Sequence, residues 1–153
     1  MPSLASNRNR ATPARAHAFA VAIAFAAAAL LTGCMHSAPS NLDFSRTRAS
    51  EHGIYRAEIM PEGDSIPQGK LQKWTLHLNA ANGAPVSAAS VAIDGGMPQH
   101  GHGLPTRPRV TRDLGNGNYL VEGMKFNMGG WWVVKFNVNS EVGNDTLVFN
   151  LNL

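Results

Sequence analysis

Met97-Pro98-Gln99-His100-Gly101-His102-Gly103 places a thioether and two imidazoles within six positions of one another. Imidazole suits Cu(II) and thioether suits Cu(I), so a mixed set of this kind selects copper among the first-row metals. Zinc prefers His, Cys and carboxylate, and only Asp94 is near enough in sequence to help. If the segment is extended, the side chains of His100 and His102 face the same side, their Cα atoms roughly 6.5–7 Å apart, which lets both rings bind one ion.

A second stretch carries the same chemistry. Met124 and Met128 flank Phe126, and Gly129-Gly130 leads into Trp131-Trp132. If this turn shares an end of the fold with the histidines, Met124 or Met128 could complete a His/Met copper site, Met128 being the better placed. The indole face of Trp131 would then stabilise a monovalent ion. Plain structural roles stand beside these. Met97, Met124 and Met128 could simply fill the core, and the two imidazoles could donate to loop carbonyls and hold the loop shut. Trp131-Trp132 reads as one outward and one core indole. His77 reads as a lone surface residue.

The elements that must position these residues are β-strands. Residues 54–60, 71–79, 86–93, 109–112, 118–124, 132–138 and 147–153 alternate apolar and polar side chains, and turn signals such as Asn82-Gly83 and Gly115-Asn116-Gly117 separate them. On residues 71–79, Trp74, Leu76 and Leu78 share one face while Lys73, Thr75 and His77 share the other. About seven strands in roughly 100 residues predict an all-β, immunoglobulin-like β-sandwich. Tyr119, just after a turn, matches the position of a tyrosine corner, with an ordinary half-buried strand tyrosine as the alternative. Residues 94–108 make a connection longer than a hairpin needs, stiffened by Pro98, Pro105 and Pro108. There is no internal repeat.

The N-terminal segment is a targeting signal rather than part of the fold. Arg8, Arg10 and Arg15 form a basic, acid-free leader, followed by an Ala-rich apolar run over residues 18–31. That run is shorter than the ~20 residues of a membrane span. Leu31-Thr32-Gly33-Cys34 resembles the bacterial lipobox, which implies a signal peptide over residues 1–33 and a lipid anchor on Cys34. An ordinary secretory cleavage site is the alternative. The expected location is the periplasmic side of a bacterial membrane, and Met35 in place of an Asp after the Cys leans toward the outer membrane. Residues 34–52, rich in Ser, Ala, Asn and Arg, read as a flexible tether that includes His36 and His52. The domain then occupies residues 53–153.

Removing the leader also removes three of the 13 basic side chains, leaving 10 against 10 acidic ones. The formal +3 therefore belongs to the leader, and no basic groove for nucleic acid is expected. Cys34 is the only cysteine, so no intramolecular disulfide can form. Catalysis is not expected either. No nucleophile elbow or paired carboxylates are present, and the 94–108 loop carries no Glu to serve as a base.

From about Gly53 to Leu153 the chain resembles the YtkA-like domain family, related to FixH-type proteins. The resemblance rests on Gly69-Lys70-Leu71 before Trp74, Asn82-Gly83-Ala84-Pro85-Val86, Leu114-Gly115-Asn116-Gly117-Asn118-Tyr119, Gly129-Gly130-Trp131-Trp132 and, most specifically, the Met97–Gly103 stretch. It implies an extracytoplasmic immunoglobulin-like domain. FixH-type proteins are associated with assembly of copper-containing respiratory oxidases but span the membrane, whereas this chain reads as lipid-anchored. Two functions follow as expectations. One is copper binding for handling or delivery to a copper-receiving protein. The other is a metal-free module that contacts an envelope protein through the loop and Trp131.

Overall fold

Strict alternation of buried and exposed side chains runs along the long strands, and it forces two sheets to face each other. The computed structural model describes residues 38–153. The leader, Cys34 and His36 lie outside the described residues. Within them the elements are β1 (Thr47–Ala49), β2 (Tyr55–Pro61), β3 (Gln72–Ala80), β4 (Ser90–Met97), β5 (His102–Gly103), β6 (Arg109–Gly115), β7 (Asn118–Met124), β8 (Trp131–Ser140) and β9 (Gly143–Asn152), with no helix among the described residues. One antiparallel sheet has the order β1-β2-β3-β7-β6, the other β5-β4-β8-β9. Tyr55, Ala57 and Ile59 from β2, Trp74, Leu76 and Leu78 from β3, and Trp132, Val134, Phe136 and Val138 from β8 fill the space between the sheets.

The all-β sandwich is as expected, but it has nine strands rather than about seven. Setting aside β1 and β5 leaves β2-β3-β7-β6 against β4-β8-β9, the four-plus-three arrangement of a constant-type immunoglobulin domain. The two extra strands have three and two residues, too few to show any period. They exist because β2 and β4 offer them free edges.

Three local readings are corrected. Thr47–Ala49, assigned to the tether, is a strand paired with Ala57 and its neighbours on β2. The third long strand is Ser90–Met97 rather than residues 86–93, because residues 86–89 cross between the sheets. Tyr119 holds that crossing: its phenol donates to the Val86 carbonyl at 2.8 Å and accepts from the Ala89 N–H at 3.0 Å. A tyrosine corner would bond a few residues upstream, whereas this bond reaches back 33 positions, so Tyr119 is a tie between strands rather than a corner.

Immunoglobulin domains of antibodies join their sheets with a disulfide between the second and sixth strands. Here those strands, β3 and β8, carry Trp74 and Trp132, and Phe126 stands between them. Phe126 stacks on Trp74 with centroids 5.9 Å apart and meets Trp132 edge-on at 5.2 Å. All three are buried. Offset and edge contacts of this kind add about 0.5–1.5 kcal/mol each beyond area burial.

At the other end, Asp145 on β9 clasps the turn before β2. Its fully buried carboxylate accepts from the backbone N–H of His52 at 3.0 Å, of Ile54 at 3.3 Å and of Thr146 at 2.8 Å, and pairs with His52 Nδ1 at 2.9 Å. Burial pushes this carboxyl up, but Ser50, His52 and the backbone donors outweigh it and hold it well below the usual carboxylate range. The same pair raises His52, chiefly through the hydrogen bond to Asp145. His52, read from sequence as part of the tether, is therefore tied to the domain.

Phe126→Ala is expected to lower stability by about 3–5 kcal/mol in denaturant unfolding, because its cavity separates two indoles on opposite sheets. Asp145 has a folded pKa below the unfolded value near 3.9, so its stabilisation is complete above about pH 4 and is lost as the pH falls. Asp145→Asn is expected to lower stability at neutral pH by about 1.5–3 kcal/mol and to flatten the acid limb of the stability curve. His52, with its raised value, contributes below about pH 6.5 and loses that contribution as the pH rises through its folded pKa. His52→Ala is expected to remove that higher-pH slope and, because the ring also helps hold Asp145 ionised, to weaken the acid limb in part.

Candidate metal centre

The Met97–Gly103 stretch forms a tight hairpin at the end of β4. The Met97 carbonyl accepts from the N–H of His100 at 3.1 Å and of Gly101 at 3.0 Å. Gly101 turns the chain with φ of 64°, a left-handed value that favours glycine. The chain returns as β5, pairing His102 with Met97 and Gly103 with Gly96. Leu104 N–H then bonds the Gly95 carbonyl at 3.0 Å, and the Thr106 hydroxyl donates to the Gly123 carbonyl of β7 at 2.6 Å. Residues 94–97, read from sequence as loop, are thus strand, and the remaining connection is pinned at both ends.

Two glycines make the hairpin possible. A Cβ on Gly95 would lie 2.2 Å from the Val133 carbonyl oxygen, and one on Gly96 would lie 2.2 Å from that of His102. Backbones pass too closely there for any side chain.

The hairpin brings the two imidazoles together. Their centroids are 5.9 Å apart with an interplanar angle of 17°, and both residues are exposed. Metal–nitrogen bonds of about 2.0–2.1 Å place the centroids of two imidazoles on one ion about 5–6 Å apart, so the observed spacing fits. His102 meets the buried Trp132 ring edge-on at 5.6 Å. Its Nδ1 lies 3.2 Å from the Gly103 carbonyl, as the loop-closing alternative expects. That contact also favours the tautomer with Nε2 unprotonated, the arrangement usual for a ligating histidine.

The second stretch lies at the same end. The Trp132 indole N–H donates to the Met128 carbonyl at 3.1 Å. A Cβ on Gly130 would touch the Met97 methyl at 3.0 Å, and Gly130 and Leu153 exchange backbone hydrogen bonds of 2.7 and 3.1 Å. The three candidate thioethers differ sharply in exposure: Met97 is 1% exposed, Met124 0% and Met128 42%. Met97 and Met124 belong to the core cluster, which is the packing role weighed for them, and Met128 stands at the surface. Among the described residues no three of His, Cys, Asp and Glu gather as a metal-holding group. An ion at the imidazole pair would therefore need a softer third donor, a carbonyl or a partner's ligand.

Trp131 points the other way, onto the outer face of the second sheet, its indole N–H bonded to Asn150 Oδ1 at 3.0 Å. With Gly96, Pro98, His102, Gly103, Val133 and Lys135 it lines an open trough of about 530 Å³. Since Trp132 faces inward, the expected division into one outward and one core indole holds. The indole against the imidazoles is Trp132, not Trp131, because β8 alternation sends the two to opposite faces. Sequence reading missed that partnership, although the alternation along β8 could have signalled it. His77 is less isolated than expected, bonded through Nδ1 to Asn118 Oδ1 at 2.9 Å and through Nε2 to Asn79 at 3.1 Å.

A family model described as YtkA-like matches residues 49–137, a span that runs from the end of β1 into β8 and includes the whole hairpin. Neither the curated proteins nor the solved structures give a match.

Gly96→Ala is expected to push β5 away from β4. Hydrogen exchange should report it as faster exchange at the Leu104 amide, with the Val134 and Phe136 amides of β8 unchanged. Protection at Leu104 equal to that of the parent chain would show that the close approach is not what positions the histidines.

Proposed function

The chain belongs to the YtkA-like family, and from that premise we propose that it is a lipid-anchored extracytoplasmic domain that binds copper through His100, His102 and a methionine. Its role is handling or delivery to a copper-receiving protein rather than catalysis. The observation that carries this reading is the pair of exposed imidazoles with centroids 5.9 Å apart at the tip of a hairpin closed by two hydrogen bonds to the Met97 carbonyl. Two rings held at that separation need little rearrangement to share an ion, which lowers the entropic cost of binding.

The anchor is Cys34, after a signal peptide over residues 1–33, in the outer membrane by the same reasoning from Met35. A kinship with FixH-type proteins fits copper handling on the periplasmic side. Delivery also suits an exposed pair better than an enclosed cage, because an incoming ligand can reach the ion from the solvent side.

The trough around Trp131 favours a second reading, a metal-free module whose outer sheet face contacts an envelope protein. Chelation separates the two. Under the copper reading, the full chain takes up copper, the His100→Ala/His102→Ala variant does not, and a partner recovered by crosslinking is lost on chelation. Equal copper uptake by the parent and the double variant overturns the copper reading. A partner that survives chelation but is lost in Trp131→Ala supports the interaction module instead.

A further inference from the structure

Resting on the copper reading above, we propose that Met128 is the thioether ligand and that the centre takes Cu(I) in preference to Cu(II). Three thioethers lie near enough in the chain to be weighed, and burial separates them. Met97 and Met124 are packed in the core, with 1% and 0% exposure, and the Met97 methyl rests against Gly130. Met128 is 42% exposed.

Such exposure on a loose loop would mean little, but this loop is held. The Met128 carbonyl accepts the Trp132 indole N–H at 3.1 Å. Two residues on, Gly130 exchanges two backbone hydrogen bonds with Leu153, and two residues before, the Phe126 carbonyl accepts from Gly69 N–H at 2.7 Å. The fold fixes the backbone on both sides of Met128 and leaves its apolar side chain in water.

The same indole supports the histidines. His102 packs edge-on against Trp132 at 5.6 Å, and His100 stacks on His102 at 5.9 Å. One buried ring therefore carries the imidazole pair on one contact and the Met128 backbone on another. Two nitrogens and one thioether form a soft set of low coordination number, which suits Cu(I). Cu(II) prefers tetragonal nitrogen and oxygen donors. No third His, Cys, Asp or Glu joins the pair among the described residues to supply them.

Met128→Leu keeps the size and apolarity of the side chain and removes the sulfur. With the full chain, competition against a colorimetric Cu(I) chelator under reductant is expected to show roughly tenfold or greater loss of Cu(I) affinity, the equivalent of about 1.4 kcal/mol. Cu(II) affinity, carried by the imidazoles, is expected to stay the same. With methyl-labelled methionine, titration with Ag(I) as a silent substitute for Cu(I) is expected to move the Met128 methyl resonance and leave those of Met97 and Met124 in place. Equal loss for both oxidation states, or movement of the Met97 methyl in place of that of Met128, overturns the Met128 assignment and leaves the imidazole pair as a copper site. A His100→Ala/His102→Ala variant with undiminished affinity overturns this inference and the copper reading together.

Discussion

The column Trp74–Phe126–Trp132 is the contact on which the rest of the structure depends. It joins the two sheets where related architectures use a disulfide, and the single cysteine of this chain lies outside the domain. Phe126 sits in the connection between β7 and β8, so the same ring that bridges the sheets also anchors the loop that carries Met128. Trp132 closes the column on one side and receives His102 on the other. Core packing and the candidate site are therefore one set of contacts. A loosened core would release both groups of side chains that could hold an ion.

A second constraint is the absence of side chains at Gly95 and Gly96. It lets β4 pass within backbone distance of β8 and of β5 on its two sides. The consequence for chemistry is register. Because His102 pairs with Met97, which faces the core, the His102 ring is directed over the open end of the sandwich rather than onto the outer sheet face. A slip of one residue would turn its ring away from Trp132. The hairpin thus places two imidazoles against the rim of the core, His102 packed on Trp132.

Much of this was legible in the sequence, for physical reasons that differ from element to element. Alternation over seven to ten residues marks β2, β3, β7, β8 and β9, since one face of each strand is buried and the other is not. β1 and β5 were not legible, because two or three residues carry no period and their pairing is decided by the edge they join. β4 was misplaced because Val86 is buried like a strand residue yet lies in a crossing held by the Tyr119 phenol. The imidazole pair was visible as a spacing of two. Its support by Trp132 was not, because that contact crosses from one strand to another across the sheet end. The Asp145–His52 clasp spans 93 positions and left no local trace at all.

The Asp145 clasp and the candidate site occupy opposite ends of this sandwich. Asp145, buried and held ionised, fixes the turn between β1 and β2. The hairpin and the Met128 loop stand at the end where Leu153 meets Gly130. Asp145 on β9 pairs through the ladder with Val138, and Asn152 pairs with Trp131, so the length of β8 and β9 separates the two regions. At about 3.4 Å per residue, seven steps along β9 amount to roughly 24 Å. The segment before β1 approaches the clasp from the other direction, because Ile59 N–H bonds the Arg46 carbonyl, Asn150 Nδ2 bonds the Asp43 carbonyl at 3.2 Å, and β1 then runs from Thr47 opposite Glu58 to Ala49 opposite Arg56.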